Sequence, residues 1–355
     1  MNEFEVKVKG GHKSPTDYRD IYVGSVSIDD KKIDRPLPKE HFNDISNISI
    51  VWQKKIGCCG GCASSYLQEM KDFYDVNLSF RFAYAIAKCI DNFPDEGTYT
   101  RTLGQVFKNY GCSTELTCFS NPDLPHETFV YNRKLENIPA NAIEEAKKNK
   151  VDSYGFIPMN EQAIKEAIFN GGFVLLLKVG EEWWKNKKGV SSWKEADILP
   201  LRRPKNVVSG HFVYVYGYDD QYIYFLNSWS ENWGRKGVGY FSYKEYQDCL
   251  IEGITFNNVS LEKVAEVKNL PEKLTHTFLV DMQYGERSSE VLKLQQFLKS
   301  LGFMTQTTGY YGDLTREAVL NFQKKYNITT IWENLTYRGK YFGKKSRTKA
   351  NELLK

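Results

Sequence analysis

The chain has 355 residues, 41% apolar and 26% charged, ordinary proportions for folded protein and about two domains' worth at ~150 residues each. Disorder as the main state is excluded, and no apolar run reaches the ~18–20 residues of a membrane helix. Seven cysteines are too sparse for a disulfide scaffold, and their odd number leaves at least one thiol free or paired between molecules. The net charge of +4 divides unevenly: from Ala265 onward 15 Lys/Arg face 9 Asp/Glu (+6), and before it 33 face 35 (−2). A basic end suits nucleic acid, a membrane surface or an anionic wall polymer, and charge alone does not choose among them.

The first fifty residues, with turn formers at Gly10-Gly11, Ser14-Pro15 and Arg35-Pro36-Leu37-Pro38, read as an extended arm. The start, Met1-Asn2-Glu3-Phe4-Glu5-Val6-Lys7, lacks the basic head and apolar core of a secretory signal. From Cys62, Ala63, Tyr66, Leu67, Met70, Phe73 and Tyr74 recur at helical spacing. Further helices are expected over Ser79–Ile90, Thr102–Tyr110 and Asn160–Phe169, with Gly111 and Gly171-Gly172 as stops. Strands then follow at 173–177, 212–216 and 222–226, with a turn at Gly217-Tyr218-Asp219-Asp220. Helices early and antiparallel strands late give an α+β order.

Residues 262–273 are polar and aperiodic, and read as a linker between a domain at 1–261 and another at 274–355. In the second, Val291, Leu294, Leu298 and Leu301 face one way on a helix ended by Gly302; Ala318, Val319, Phe322 and Tyr326 do so on the next. Tyr310-Tyr311-Gly312-Asp313-Leu314-Thr315-Arg316 is echoed by Tyr341-Phe342-Gly343-Lys344-Lys345-Ser346-Arg347, which suits two turn-plus-helix units in a three-helix module.

The densest chemistry lies at Gln53-Lys54-Lys55-Ile56-Gly57-Cys58-Cys59-Gly60-Gly61-Cys62. A thiol at a helix start meets the positive end of the dipole, which favours its thiolate. A zinc site needs a second CxxC or a His pair, which Cys89, Cys112, Cys118 and Cys249 do not supply. Cys59-Gly60-Gly61-Cys62 as a CxxC is the pattern of thiol–disulfide exchange. His211 begins a strand, and Asn227-Ser228-Trp229 ends the next one sixteen residues on. A lone strand-edge histidine is usually structural. Across a hairpin it can meet an asparagine, which points to a Cys–His–Asn nucleophilic centre.

On these residues, from about Gly11 to Ile254, the chain resembles the papain-like cysteine peptidases of bacterial and viral type. The matching pieces are Gln53, Gly210-His211, Gly217-Tyr218-Asp219-Asp220, Asn227-Ser228-Trp229, Trp233-Gly234 and Gly239-Tyr240. Asp17-Tyr18-Arg19-Asp20 and Asp95-Glu96-Gly97-Thr98 add to the likeness. The resemblance implies a helical subdomain plus an antiparallel β-barrel-like subdomain. It makes Cys59 the nucleophile, His211 its base and acid, Asn227 the orienter of the imidazole, and Gln53 an oxyanion donor beside the Cys59 N–H. Gly97, Thr98, Gly210 and Trp229 are the expected peptide-side contacts, Trp229 also shielding the His–Asn pair. Reading Cys62 as the nucleophile instead would put Ile56 in the glutamine's place; the six-residue spacing from Gln53 favours Cys59. The family's Trp after the cysteine is absent in either register, and Ser230 replaces a usual glycine. No inhibitory pro-segment is recognisable before Gln53.

Leu279 to Ile328 resembles a three-helix peptidoglycan-binding domain, carried by Leu294-Gln295-Gln296-Phe297-Leu298, Leu301-Gly302, Gly309-Tyr310-Tyr311-Gly312 and Phe322-Gln323. Thr329–Arg338 then reads as an insertion. Tyr310 and Tyr311 are the exposed aromatics expected to meet sugar. The two resemblances together imply a cysteine-type peptidase, working through a thioester acyl-enzyme and targeted to the cell wall. Its partners would be peptide or protein and peptidoglycan or another anionic wall polymer, with no nucleic acid, no membrane span, no metal and no cofactor. A thiol–disulfide oxidoreductase using Cys59 and Cys62, a transpeptidase and a non-catalytic wall-binding protein stand as alternatives. With no secretory signal visible, lysis release or carriage in a virus particle is the expected route to the wall. The abundance of Lys, Asn, Tyr and Phe fits a virus or phage.

Overall fold

The computed structural model describes residues 10–17, 20, 22, 37–72, 76–91, 93–257, 276–304, 307, 309–330 and 338–354. The chain divides into two compact units, Met1–Val259 and Ser260–Lys355. The expected linker at 262–273, Tyr18-Arg19 of the early motif, Phe73-Tyr74 of the first helical pattern and most of the expected insertion lie outside the described residues.

In the first unit, helix α1 runs Cys59–Asp72, α2 Phe80–Ile90 and α3 Thr100–Asn109. The apolar period places the start of α1 at Cys62, but the helix begins a turn earlier, where the Cys62 N–H donates to Cys58 O at 3.1 Å. Gly60-Gly61 hides that turn from a propensity reading. The glycines serve packing instead: a β-carbon on Gly61 would stand 2.6 Å from Phe80 O on α2. Ser79 caps α2 by accepting the Phe82 N–H.

The sheet is built from β1 (Gly11–His12), β2 (His41–Phe42), β3 (Thr98–Tyr99), β4 (Ser153–Ile157), β5 (Phe173–Val179), β6 (Ser209–Tyr218), β7 (Ile223–Leu226), β8 (Val238–Phe241) and β9 (Leu250–Asn257). Its main path is β3-β1-β6-β5-β9-β4, with β2 and β7 also on β6 and β8 on β7. All its pairings are antiparallel except β1 with β3. Alternate residues of β5 and β6 face two cores. Leu176, Phe212 and Tyr214 join Ala63, Tyr66 and Leu67 of α1; Leu175, Leu177, Val213 and Val215 join Trp183, Trp229 and Trp233. The sheet thus separates a helical side from a tryptophan-rich one, and α1 lies against β6.

The second unit holds helices Ser289–Ser300, Asp313–Lys325 and Lys344–Leu353, with a small ribbon of β10 (Met282–Gln283) and β11 (Tyr341–Phe342). The sequence echo is structural. The Gln295 side-chain amide donates to Tyr310 O and Thr315 Oγ1; Gln323 does the same to Tyr341 O and Ser346 Oγ. Each clamp turns one tyrosine outward and the next aromatic inward. Tyr310 is 39% exposed and Tyr311 0%. The expectation that both face solvent is corrected for Tyr311, which packs with Phe297, Phe322 and Phe342 and donates its hydroxyl hydrogen to Gly339 O at 2.8 Å. No described helix is long and apolar enough to cross a membrane.

Candidate active site

Three pieces of chain meet at the first turn of α1. The segment 51–53 zips against 228–230: Gln53 N donates to Ser228 O at 2.9 Å and Ser230 N to Val51 O at 3.0 Å, with Trp52 bridged to Trp229. Ser230 sits at φ +67°, a left-handed conformation that suits glycine. This zipper ties the turn that launches α1 to the end of β7. Gln53 is fully buried; its Nε2 donates to Ile56 O at 2.9 Å and its Oε1 accepts the Ser228 hydroxyl. One of its two amide hydrogens therefore holds the cysteine-bearing turn in shape.

His211 Nε2 lies 2.8 Å from Asn227 Oδ1, which also accepts the Ser228 N–H. An amide oxygen only accepts, so Nε2 carries the proton and Nδ1 is left with its lone pair. Nδ1 is buried and has no hydrogen-bond partner. Cys59 Sγ accepts the N–H of Phe212, the residue after His211, at 3.5 Å. The sulfur and the imidazole are thus carried on adjoining pieces of α1 and β6. Cys62 Sγ turns instead to Cys58 Sγ, 4.0 Å away, in a separate apolar cluster with Phe80, Tyr84 and Phe129. All seven cysteines are free, so the Cys59–Cys62 pair forms no disulfide.

A wall of indoles closes the far side of His211. Trp229 lies 5.0 Å from the imidazole centroid and Trp183 5.7 Å; Trp233 stacks on Trp183 and Trp184 meets Trp229 edge-on. Trp229 is fully buried in this covered form, as Cys59 and His211 are, and it packs against the imidazole of the His211–Asn227 pair. Trp183 and Trp184 carried no signal in the sequence beyond their residue type.

Cys59 is covered more completely than expected, because the chain's own arm lies over it. Gly11 pairs antiparallel with Gly210, while Gly11 and His12 pair in parallel with Thr98 and Tyr99. The Thr98 N–H donates to Gly10 O at 3.2 Å. A β-carbon on Gly10 would collide with Cys59 Sγ, and one on Gly97, at φ +100°, would stand 2.8 Å from Gly10 O. The arm is pinned beyond by Ser14 N to Glu252 Oε2 at 2.9 Å, Arg101 N to Ser14 Oγ at 2.9 Å, and an Arg101–Asp20 ion pair at 2.7 Å. Where no pro-segment was recognised, residues 10–14 act as a strap across Gly97, Thr98 and Gly210. Five residues of extended chain have no helical period by which a sequence could announce them.

Burial sets the charges in this covered form. It pushes the Cys59 thiol up to about 12, although the Phe212 N–H opposes the rise. Burial pulls His211 down to about 4 against the Asn227 hydrogen bond. Beneath the strap, burial therefore works against the thiolate that the helix start favours, and favours the uncharged thiol and imidazole. Glu69, on the same helix, is buried with its Oε1 accepting the Leu78 N–H at 2.6 Å, and burial raises it well above the usual carboxylate range. Among the described residues no three His, Cys, Asp or Glu groups gather as a metal site would require.

The sequence profile of the papain family cysteine proteases matches residues 42–258, and that of a peptidoglycan binding domain matches 287–330. No curated protein matches the chain by sequence. Among solved structures, it is similar to xylellain, a cysteine protease from Xylella fastidiosa, at 19% identity and TM-score 0.59, covering 72% of this chain and 97% of that one. It is also similar to procathepsin B S9 from Trypanosoma congolense, at 14% identity and TM-score 0.52, covering 71% and 87%. A recombinant stem bromelain precursor shares the fold at 18% identity and TM-score 0.51, covering 73% and 81%. With a profile match over more than half its length and this shared fold, the chain belongs to the papain family of cysteine proteases and carries a peptidoglycan-binding domain after its peptidase domain.

Proposed function

We propose that the protein hydrolyses peptide bonds at the cell wall through a thioester on Cys59. The observation that carries this reading is the His211–Asn227 bond at 2.8 Å, which leaves Nδ1 bare, with the Cys59 sulfur held on the next residue's N–H. With the strap withdrawn, solvent returns, the Cys59 proton passes to His211 Nδ1, and the thiolate attacks the scissile carbonyl. The Cys59 N–H and the remaining amide hydrogen of Gln53 stabilise the oxyanion. His211 then protonates the leaving amine, and water attacks the thioester with the imidazole as base, releasing the acid and the free thiol. The basic C-terminal domain, with exposed Tyr310 as a sugar contact, raises the local concentration of the peptidase near wall peptides or wall proteins. Delivery to the wall by lysis or in a virus particle belongs to the same reading.

Intact-protein mass spectrometry after a peptidyl electrophile tests it. A single adduct mapped to Cys59, retained in Cys62→Ser, is the expected result. An adduct on Cys62, or none, overturns the assignment, and analysis of products from an unmodified peptide distinguishes hydrolysis from transfer to an amine.

A further inference from the structure

One buried charge in the peptidase domain has no part in the chemistry above. Lys88, on α2, is fully buried with Asp91, whose Oδ1 lies 3.4 Å from its Nζ. An ammonium has three hydrogens to donate. Here each finds a backbone carbonyl of one short loop: Phe93 O at 2.8 Å, Asp95 O at 3.0 Å and Gly97 O at 3.1 Å. The loop wraps the ammonium on alternate residues, as it would a bound cation. Asp91 completes the frame, its Oδ1 accepting the Phe93 N–H at 2.9 Å and its Oδ2 the Thr98 hydroxyl at 2.7 Å. The Gly97 N–H is taken up by the Tyr84 hydroxyl at 2.9 Å.

A buried ion pair is a poor device for stability alone, since desolvation offsets much of its attraction. This one lies under a particular object. The loop leads into Thr98, whose strand edge pairs with Gly11 of the strap. The strap is an extended peptide held by main-chain hydrogen bonds, so it displays what that edge grips. We propose that Lys88 and Asp91 are a positioning pair that fixes the 93–98 loop so that Thr98 presents a rigid strand edge to extended peptide backbone. The pair sets the enzyme's preference for extended peptides over small acyl compounds. The proposal rests on Cys59 being the nucleophile.

The test uses the full chain and two reagents, iodoacetamide and a peptidyl chloromethyl ketone, with second-order labelling rates read at Cys59. Strap opening multiplies both rates equally, so their ratio reports the edge alone. In Lys88→Met the peptidyl preference should fall roughly tenfold, the scale on which small misplacements act. Thr98→Val deletes only the hydroxyl that reaches Asp91, and should lower the preference about threefold, the loss of one hydrogen bond. Thr98→Val decides the matter if Lys88→Met does not fold. An unchanged ratio in a folded variant overturns the proposal. If neither reagent labels Cys59 even in Gly10→Ala, where the strap is displaced from the sulfur, the peptidase reading on which the proposal rests is removed instead.

Discussion

The peptidase domain and the C-terminal domain treat their signature residues in opposite ways. Cys59, His211, Asn227 and Gln53 are all fully buried, enclosed by indoles on one side and by the chain's own arm on the other. In the C-terminal domain the duplicated glutamine clamp pushes Tyr310 into solvent and keeps only its neighbour Tyr311 inside. Chemistry that depends on a proton position is kept dry and held by second partners. Contact with a polymer requires only a presented ring.

The largest effect should come from the buried centre. Cys59→Ala or His211→Ala should lower peptide hydrolysis by roughly a thousandfold or more, while Cys62→Ser stays within a few-fold, measured with a fluorogenic peptide. Equal losses at Cys59 and Cys62 would return the oxidoreductase reading. Next, Tyr311→Ala should destabilise the C-terminal domain by about 3–5 kcal/mol, as for a core aromatic, whereas Tyr310→Ala should leave melting unchanged and weaken retention on purified wall by a few-fold, on the order of one aromatic contact. If both act alike, the contrast between presented and buried ring is wrong.

A third experiment addresses the cover. Gly10→Ala sets a β-carbon against Cys59 Sγ, so the strap should lift and iodoacetamide labelling of Cys59 should rise by roughly tenfold to a hundredfold, as expected for a shifted two-state equilibrium. A fall or no change would mean that the arm does not control access. A milder effect on the same strap is that of pH. His211 is held near 4 under the cover, below its ordinary 6.5. Its contribution to the covered form is therefore complete above pH 6.5 and is lost as pH falls towards 4. Hydrogen exchange at residues 10–14, corrected for intrinsic rates, should accelerate by about tenfold between pH 6.5 and 5, the scale of a little over one unit of linkage, and His211→Gln should abolish the acceleration.

Much of this was legible because a few residues carry geometry in their spacing. His211 and Asn227 stand at facing ends of one hairpin, and six residues separate Gln53 from Cys59. The strap was not legible, since Gly10-Gly11-His12 has neither period nor apolar content and is held by main-chain bonds. Lys88 left a faint trace, one of two cations with Arg81 in the otherwise apolar run Phe80–Ile90, but its three carbonyl partners come from a loop no pattern describes. Tyr310 and Tyr311 are alike as residue types. Only the echo, where Phe342 stands at the position of Tyr311, hints at which ring turns inward.

The indole wall has an optical consequence. Trp183 and Trp229 lie within 5.7 Å of His211, and a protonated imidazole quenches indole emission. The protein therefore carries its own fluorescent gauge of proton transfer at the centre, readable without a substrate dye. Replacing the remaining tryptophans outside this cluster would leave that gauge as the dominant light from the molecule.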